Sequence, residues 1–140
     1  MTTVDDCRIL QFLRITAPEG SVTPIEGSDG IPFDIARVFY LYDIPVDASR
    51  GGHAHRRLEQ VIVCMMGSFD VVVDDGRVRR TFTLRRASEG LFIPAMLWAE
   101  LVNFASGAVC LTLASMPYDE GEYLRRYDDY VEARMQMVHR

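Results

Sequence analysis

From Arg37 to about Ser115 the chain is a succession of short apolar or alternating runs divided by turn signals, with no long stretch of helical period. Residues 37–43 read as one strand, stopped by Pro45. Leu58 to Met66 read as a second, ending at Gly67-Ser68, and Phe69 to Val73 as a third. Asp74-Asp75-Gly76 is a hairpin turn into a strand from Val78 to Leu84. Beyond a turn at Ser88-Glu89-Gly90, residues 91–93 form a buried-looking strand halted by Pro94, and Ala108 to Ser115 is a continuous apolar strand of core type. Many short strands at this spacing imply an all-β barrel or jelly roll. The first third is less regular, with strands expected over residues 9–15 and 20–26 and a turn at Gly27-Ser28-Asp29-Gly30. The leading strand is free to pair with its own sheet or a partner's. Acids followed by aromatics at helical spacing predict one helix from about residue 119 to 136.

At 140 residues, with 49% hydrophobic and 25% charged side chains, the expectation is a single folded domain over residues 1–140. No apolar run approaches the ~18 residues that span a bilayer, so no membrane partner is expected. The acidic opening Met1-Thr2-Thr3-Val4-Asp5-Asp6 does not read as a secretory signal, which points to the cytoplasm. A net charge of −5 argues against affinity for nucleic acid, although a local arginine cluster suits one phosphorylated small molecule. All 15 cations are arginine, and this removes lysine Schiff-base chemistry and phosphate-loop lysines from consideration. Cys7, Cys64 and Cys110 are odd in number and far apart, so they read as buried free thiols rather than disulfides or zinc ligands. The terminal His139 is assigned no role.

Within Arg50-Gly51-Gly52-His53-Ala54-His55-Arg56-Arg57-Leu58-Glu59-Gln60, two of the three histidines stand one residue apart. In a strand they share one face. Two imidazoles with ordinary pKa near ~6.5 suit either metal ligation or proton transfer near neutral pH. Tyr40 and Tyr42 likewise share one face of their strand and are candidates for a hydroxyl relay.

His53, His55, Glu59 and Gly67, followed by Gly90, Pro94 and Asn103, resemble the two motifs of cupin barrels, with Ala99 standing where a third histidine ligand would be. A finer resemblance covers roughly residues 8 to 132. It is carried by Ile31-Pro32-Phe33 with Arg37-Val38-Phe39-Tyr40, by Arg50 to Gln60, and by Val72 to Gly76. It continues through Gly90 to Pro94, Trp98, Asn103-Phe104, Leu113 to Ser115, Tyr118-Asp119-Glu120 and Tyr123 to Asp128. These stretches are similar to the nucleotide-sugar 3,4-ketoisomerases, labelled WxcM-like.

The resemblance implies a cupin-type jelly roll with a short C-terminal helix, acting without metal or other cofactor on a dTDP-linked 4-keto-6-deoxy sugar. A base removes the C3 proton beside the carbonyl to leave an enediolate, and protonation at C4 yields the 3-keto sugar. His55 is assigned as the carbon base and His53 as its partner, with Tyr42 and Tyr40 on the hydroxyl side. Arg50 and Arg37 are assigned to the diphosphate. Trp98 is assigned to thymine, Glu100 and Asn103 to nucleoside or sugar, and Glu59 to orienting a histidine ring. A homodimer with exchanged N-terminal strands is also implied. Two departures, Ala17-Pro18-Glu19-Gly20 and Ala99, remove polar groups that relatives often carry. The alternatives are a metal-dependent cupin of dioxygenase type using His53, His55 and Glu59, and a non-catalytic nucleotide-sugar binding module.

Overall fold

The computed structural model describes residues 1–27 and 30–138. A 3-10 turn at Val4–Asp6 leads into β1 (Arg8–Gln11), β2 (Ile15–Ala17), β3 (Gly20–Val22), β4 (Arg37–Leu41) and β5 (Arg50–His55). Then follow β6 (Gln60–Met66), β7 (Phe69–Asp74), β8 (Arg79–Leu84), β9 (Glu89–Ile93), β10 (Trp98–Val102) and β11 (Val109–Ala114). A second 3-10 turn (Glu120–Glu122), β12 (Tyr123–Leu124) and α1 (Tyr127–Val138) complete the order. Two five-stranded antiparallel sheets result, β1-β9-β6-β11-β4 and β12-β5-β10-β7-β8, with β2 and β3 a separate hairpin.

The sheets face each other as a jelly roll because alternation along their strands gives each an apolar inner face. Ile62, Cys64, Leu91 and Cys110 of the first sheet pack with Phe69, Val71, Val73 and Leu101 of the second. The opposite face of β6, with Val61 and Val63, is also apolar, and Phe12, Ile25, Ile31 and Phe33 cover it. That cover is close: a side chain at Gly90 would stand 2.6 Å from Val61 and 2.8 Å from Phe12, so the residue there must be glycine. The outer face of the second sheet carries Ala54 and Trp98, which α1 covers with Tyr127 and Tyr130. Tyr130 is wholly buried, with its hydroxyl 2.9 Å from the carbonyls of both Asp74 and Met96.

Several expectations are corrected. The strand expected over residues 9–15 breaks after Gln11, because Phe12 turns into the outer apolar layer, and only Gly20–Val22 of the next one is extended. Trp98–Val102, not read as a strand, runs centrally between β5 and β7. The expected helix at 119–136 begins only at Tyr127, since Asp119 caps a 3-10 turn and Tyr123–Leu124 pairs instead with His55 and Ala54. Edge pairing there wins over helical periodicity. All three cysteines are buried free thiols, and burial pushes Cys7 and Cys110 up to about 12. Part of the expected turn, Ser28 and Asp29, and also His139 lie outside the described residues. Among the described residues no helix is long and apolar enough to cross a membrane.

Candidate active site

The core residues fill the sandwich between β6, β9 and β7, β8, while the far side opens between β4 and the β12-β5 edge. A cavity of about 470 Å³ lies in this opening. Its shape depends on an irregularity in β5. Ala99 of β10 sits opposite His53 and Leu101 opposite Arg50, so three steps along β5 match two along β10. The extra residue is a bulge centred on Gly51, whose φ of +78° is disfavoured for L side chains. Without the bulge, Arg50 and His53 would point to opposite faces. With it, both line the cavity.

The ring of His53 meets that of His55 edge-on, with centroids 4.8 Å apart at 82°. Tyr123 on β12 packs against both, at 4.9 Å and 4.5 Å. His53 is on the cavity wall, whereas His55 lies deeper and is only 6% exposed. Burial, helped by the Arg125 guanidinium, holds His53 down to about 4. Burial and then its neighbour His53 hold His55 down to about 3, against an opposing pull from Glu122. Both imidazoles are therefore neutral near pH 7 and able to accept a proton. His55 Nδ1 is the one buried side-chain nitrogen or oxygen without a hydrogen-bond partner among the described residues. Left unpaired at a buried position, that nitrogen is open to a hydrogen-bond partner that the chain itself does not supply.

The same hollow is cationic. Arg37 on β4 stacks between Phe39 and Tyr118, its guanidinium carbon 4.5 Å and 5.1 Å from the two ring centroids. Arg125 lies over Tyr123 at 4.3 Å, and a two-pronged pair fixes it to Glu120 with contacts of 2.6 Å and 2.8 Å. Hydrogen bonds from Arg125 and from the Tyr118 hydroxyl hold the Glu120 carboxyl down to about 2. Arg37, Arg50 and Arg125 thus border one hollow, with Gln60 and Thr112 at its inner surface.

Of the residues expected from sequence, Arg37, Arg50 and His53 line the cavity and His55 supports it from behind. The others do not come together. Tyr40 and Tyr42 project outward from β4, 61% and 62% exposed, since Arg37, Phe39 and Leu41 take the inward positions. Glu59 is not on the wall: its backbone exchanges hydrogen bonds with Ser115, and the next residue, Gln60, faces inward. Trp98 and Glu100 face the other way, Trp98 edge-on to Tyr127 at 5.4 Å and donating through Nε1 to Glu100 at 2.9 Å. Asn103 takes the left-handed turn after β10 at φ +57° and donates to Asp70. Glu19 stands at the exposed tip of the β2–β3 hairpin. Tyr123 and Arg125 were missed because the aromatic spacing around them read as helix. Their alternation on either side of Leu124 is the signal for an extended segment.

Among the described residues no three His, Cys, Asp or Glu side chains converge as a metal-ligand set. Glu59 does not join the histidines, so the alternative built on His53, His55 and Glu59 lacks its third ligand.

Fold and site together define a cupin-type jelly roll whose open end holds two neutral imidazoles, a tyrosine and three arginines. The family model described as "WxcM-like, C-terminal" (FdtA) matches residues 5–135. The chain is 41% identical over 123 residues to the TDP-4-oxo-6-deoxy-alpha-D-glucose-3,4-oxoisomerase of Aneurinibacillus thermoaerophilus, covering 88% of each. It superposes on QdtA, a sugar 3,4-ketoisomerase from Thermoanaerobacterium thermosaccharolyticum solved with TDP, with a TM-score of 0.93 at 36% identity, covering 96% of this chain and 98% of that one. A histidine-to-asparagine variant of QdtA, solved with TDP-4-keto-6-deoxyglucose, matches with a TM-score of 0.92 at the same identity, covering 96% and 97%. A 3,4-ketoisomerase from Helicobacter canadensis gives a TM-score of 0.90 at 42% identity, covering 93% and 98%. The chain belongs to the FdtA, WxcM-like family, and it is an isomerase of the 3,4-ketoisomerase kind.

Proposed function

We propose that this isomerase converts a TDP-linked 4-keto-6-deoxyhexose to its 3-keto isomer by proton transfer through an enediolate. The observation that carries the reading is the neutral His53 on the wall of a cavity that three arginines also line, in contact with His55 and Tyr123. His53, not His55, is the carbon base, because only His53 reaches the hollow a sugar would occupy. It takes the C3 proton while the C4 oxygen gains one. The C3 hydroxyl then gives up its proton as C4 receives one, leaving the carbonyl at C3. Atoms balance and the step is redox-neutral overall. Tyr123 takes the hydroxyl-side role assigned from sequence to Tyr40 and Tyr42. His55, kept neutral, relays protons behind His53. QdtA solved with TDP supports a TDP-linked ligand, and Arg37 and Arg50 on the cavity wall hold its diphosphate.

The proposal includes a homodimer acting in the cytoplasm as single-domain protomers. An outer groove of about 650 Å³ bordered by Val38, Leu111 and Leu113, and a β2–β3 hairpin exposed along its length with Ile15 and Val22, support pairing and strand exchange with a second copy. Sedimentation at several concentrations checks this, a monomer throughout being the refuting result. For the reaction, the protein is incubated with TDP-4-keto-6-deoxyglucose in deuterated water and followed by NMR. Deuterium at C4 with the carbonyl at C3 is expected, and its absence from a folded protein overturns the reading.

A further inference from the structure

We infer that Glu122 is a positioning residue for this reaction: it pins β12 to the end of the histidine strand and so sets Tyr123 against the imidazole pair. The inference rests on the isomerase reading above. Glu122 has no contact with the cavity and is 3% exposed. A carboxylate so deeply placed is destabilised unless its lone pairs are used. Here Oε2 accepts from the backbone N–H of Arg57 at 2.8 Å and of Leu58 at 3.0 Å, and Oε1 accepts from Arg57 Nε at 2.8 Å. The Glu122 carbonyl accepts from Arg56 N–H at 2.9 Å. Every one of these donors lies in the three residues that follow His55, and the residue after Glu122 is Tyr123, which sits opposite His55 in register. β12 is only two residues long, too short to hold its place by ladder hydrogen bonds alone. The carboxylate supplies the missing anchor.

Its charge acts in the same direction. The groups that face His55 are His53 on its own strand, Tyr123, Arg37, Arg125 and Glu122. Of these Glu122 alone supplies negative charge, so it favours the protonated imidazole that a relay through His55 must pass through. Arg57 is largely exposed, so the ionic half of the pair is screened, and the backbone donors do most of the holding.

The test compares Glu122→Gln, Glu122→Asp and Arg57→Ala with the unaltered protein. In Glu122→Gln, kcat falls about tenfold or more while KM and TDP affinity stay within about twofold, because arginines and cavity are intact. The His53 and His55 ring-proton resonances, displaced by the Tyr123 ring, move toward their positions in Tyr123→Leu. Glu122→Asp restores part of the rate. Arg57→Ala keeps the backbone donors and stays within about twofold of the parent rate. Should Glu122→Gln fail to fold, Glu122→Asp, which draws the carboxylate back from those donors, moves the same resonances part of the way. Wild-type kcat and unmoved histidine resonances in a folded Glu122→Gln, or in Glu122→Asp when that variant is the one measured, overturn the inference. The resonances are read without substrate, so failure of the isomerase reading, seen as no C4 deuteration by the unaltered enzyme, is a separate result.

Discussion

Arg50 and His53 face the same cavity although they stand three positions apart along β5, because the bulge at Gly51 reverses the strand's alternation between them. The backbone at Gly51 has φ +78°, while a Cβ there would meet Leu101 only at ordinary contact distance, 3.7 Å. Strain and not collision therefore governs substitution. Gly51→Val is expected to lose about 1–2 kcal/mol of stability, seen as a lower midpoint in urea. It also relaxes the bulge, turns Arg50 away and weakens TDP binding in calorimetry. Equal affinity in a folded variant would refute the geometry.

The two histidines predict a pH dependence with a definite sign. Their folded values, about 4 for His53 and about 3 for His55, lie below the unfolded 6.5. Between those limits the unfolded chain binds more protons than the folded one, so stability rises with pH through this window. It is complete above about 6.5 and drains away as pH falls toward 4 and then 3, a contribution on the order of a few kcal/mol. Urea midpoints measured from pH 7.5 down to 4 should fall, and His53→Asn together with His55→Asn should flatten the slope. For the same reason kcat/KM is flat near neutrality and drops as pH approaches 4, where His53 is no longer a free base.

Tyr123→Phe keeps the ring packed on both imidazoles and removes only the hydroxyl. Its kcat is expected to fall on the order of 10²-fold with KM little changed. Tyr40→Phe and Tyr42→Phe, on the outward face, stay within about twofold of the unaltered rate. Steady-state kinetics with the 4-keto sugar decide between them, and the reverse ranking would return the relay to β4.

Arg50→Ala removes a charge-assisted contact to the diphosphate and should raise the TDP dissociation constant about tenfold, with a weaker salt dependence than the parent. Titration calorimetry at two ionic strengths is the measurement. An unchanged salt response would place the diphosphate elsewhere.

Tyr130 is a purely structural counterpart. Its buried hydroxyl serves the carbonyls of Asp74 and Met96 and ties α1 to the end of β7 and the turn before β10. Tyr130→Phe leaves those carbonyls without that donor and is expected to lose about 1–2 kcal/mol, with activity at low temperature unaffected. A midpoint equal to the parent's would mean that water replaces the bond.

The strands were legible where short apolar or alternating runs end at turn residues, as β6 does at Gly67-Ser68 and β7 at Asp74-Asp75-Gly76, and the shared face of His53 and His55 follows from the period of two of a strand. Trp98–Val102 escaped because both faces are covered, Ala99 and Leu101 by the core and Trp98 by α1, so its pattern carries little contrast. Tyr123 and Arg125 escaped because two residues of strand among aromatic and charged neighbours look like the start of a helix. Tyr40, Trp98 and Asn103 were candidates by residue type, and type says nothing about which face a strand turns inward.

By itself the sequence determined the jelly-roll class, the shared face of the two histidines and an all-arginine cationic chemistry, since these depend on local period and composition. Only the tertiary structure decided that His53 rather than His55 meets the cavity, that Tyr123 and not the β4 tyrosines packs against the imidazoles, and that Arg50 joins them across a bulge. Those outcomes depend on which strands pair and in what register, and register is settled by contacts between residues tens of positions apart, such as Glu122 with Arg57 and Leu58.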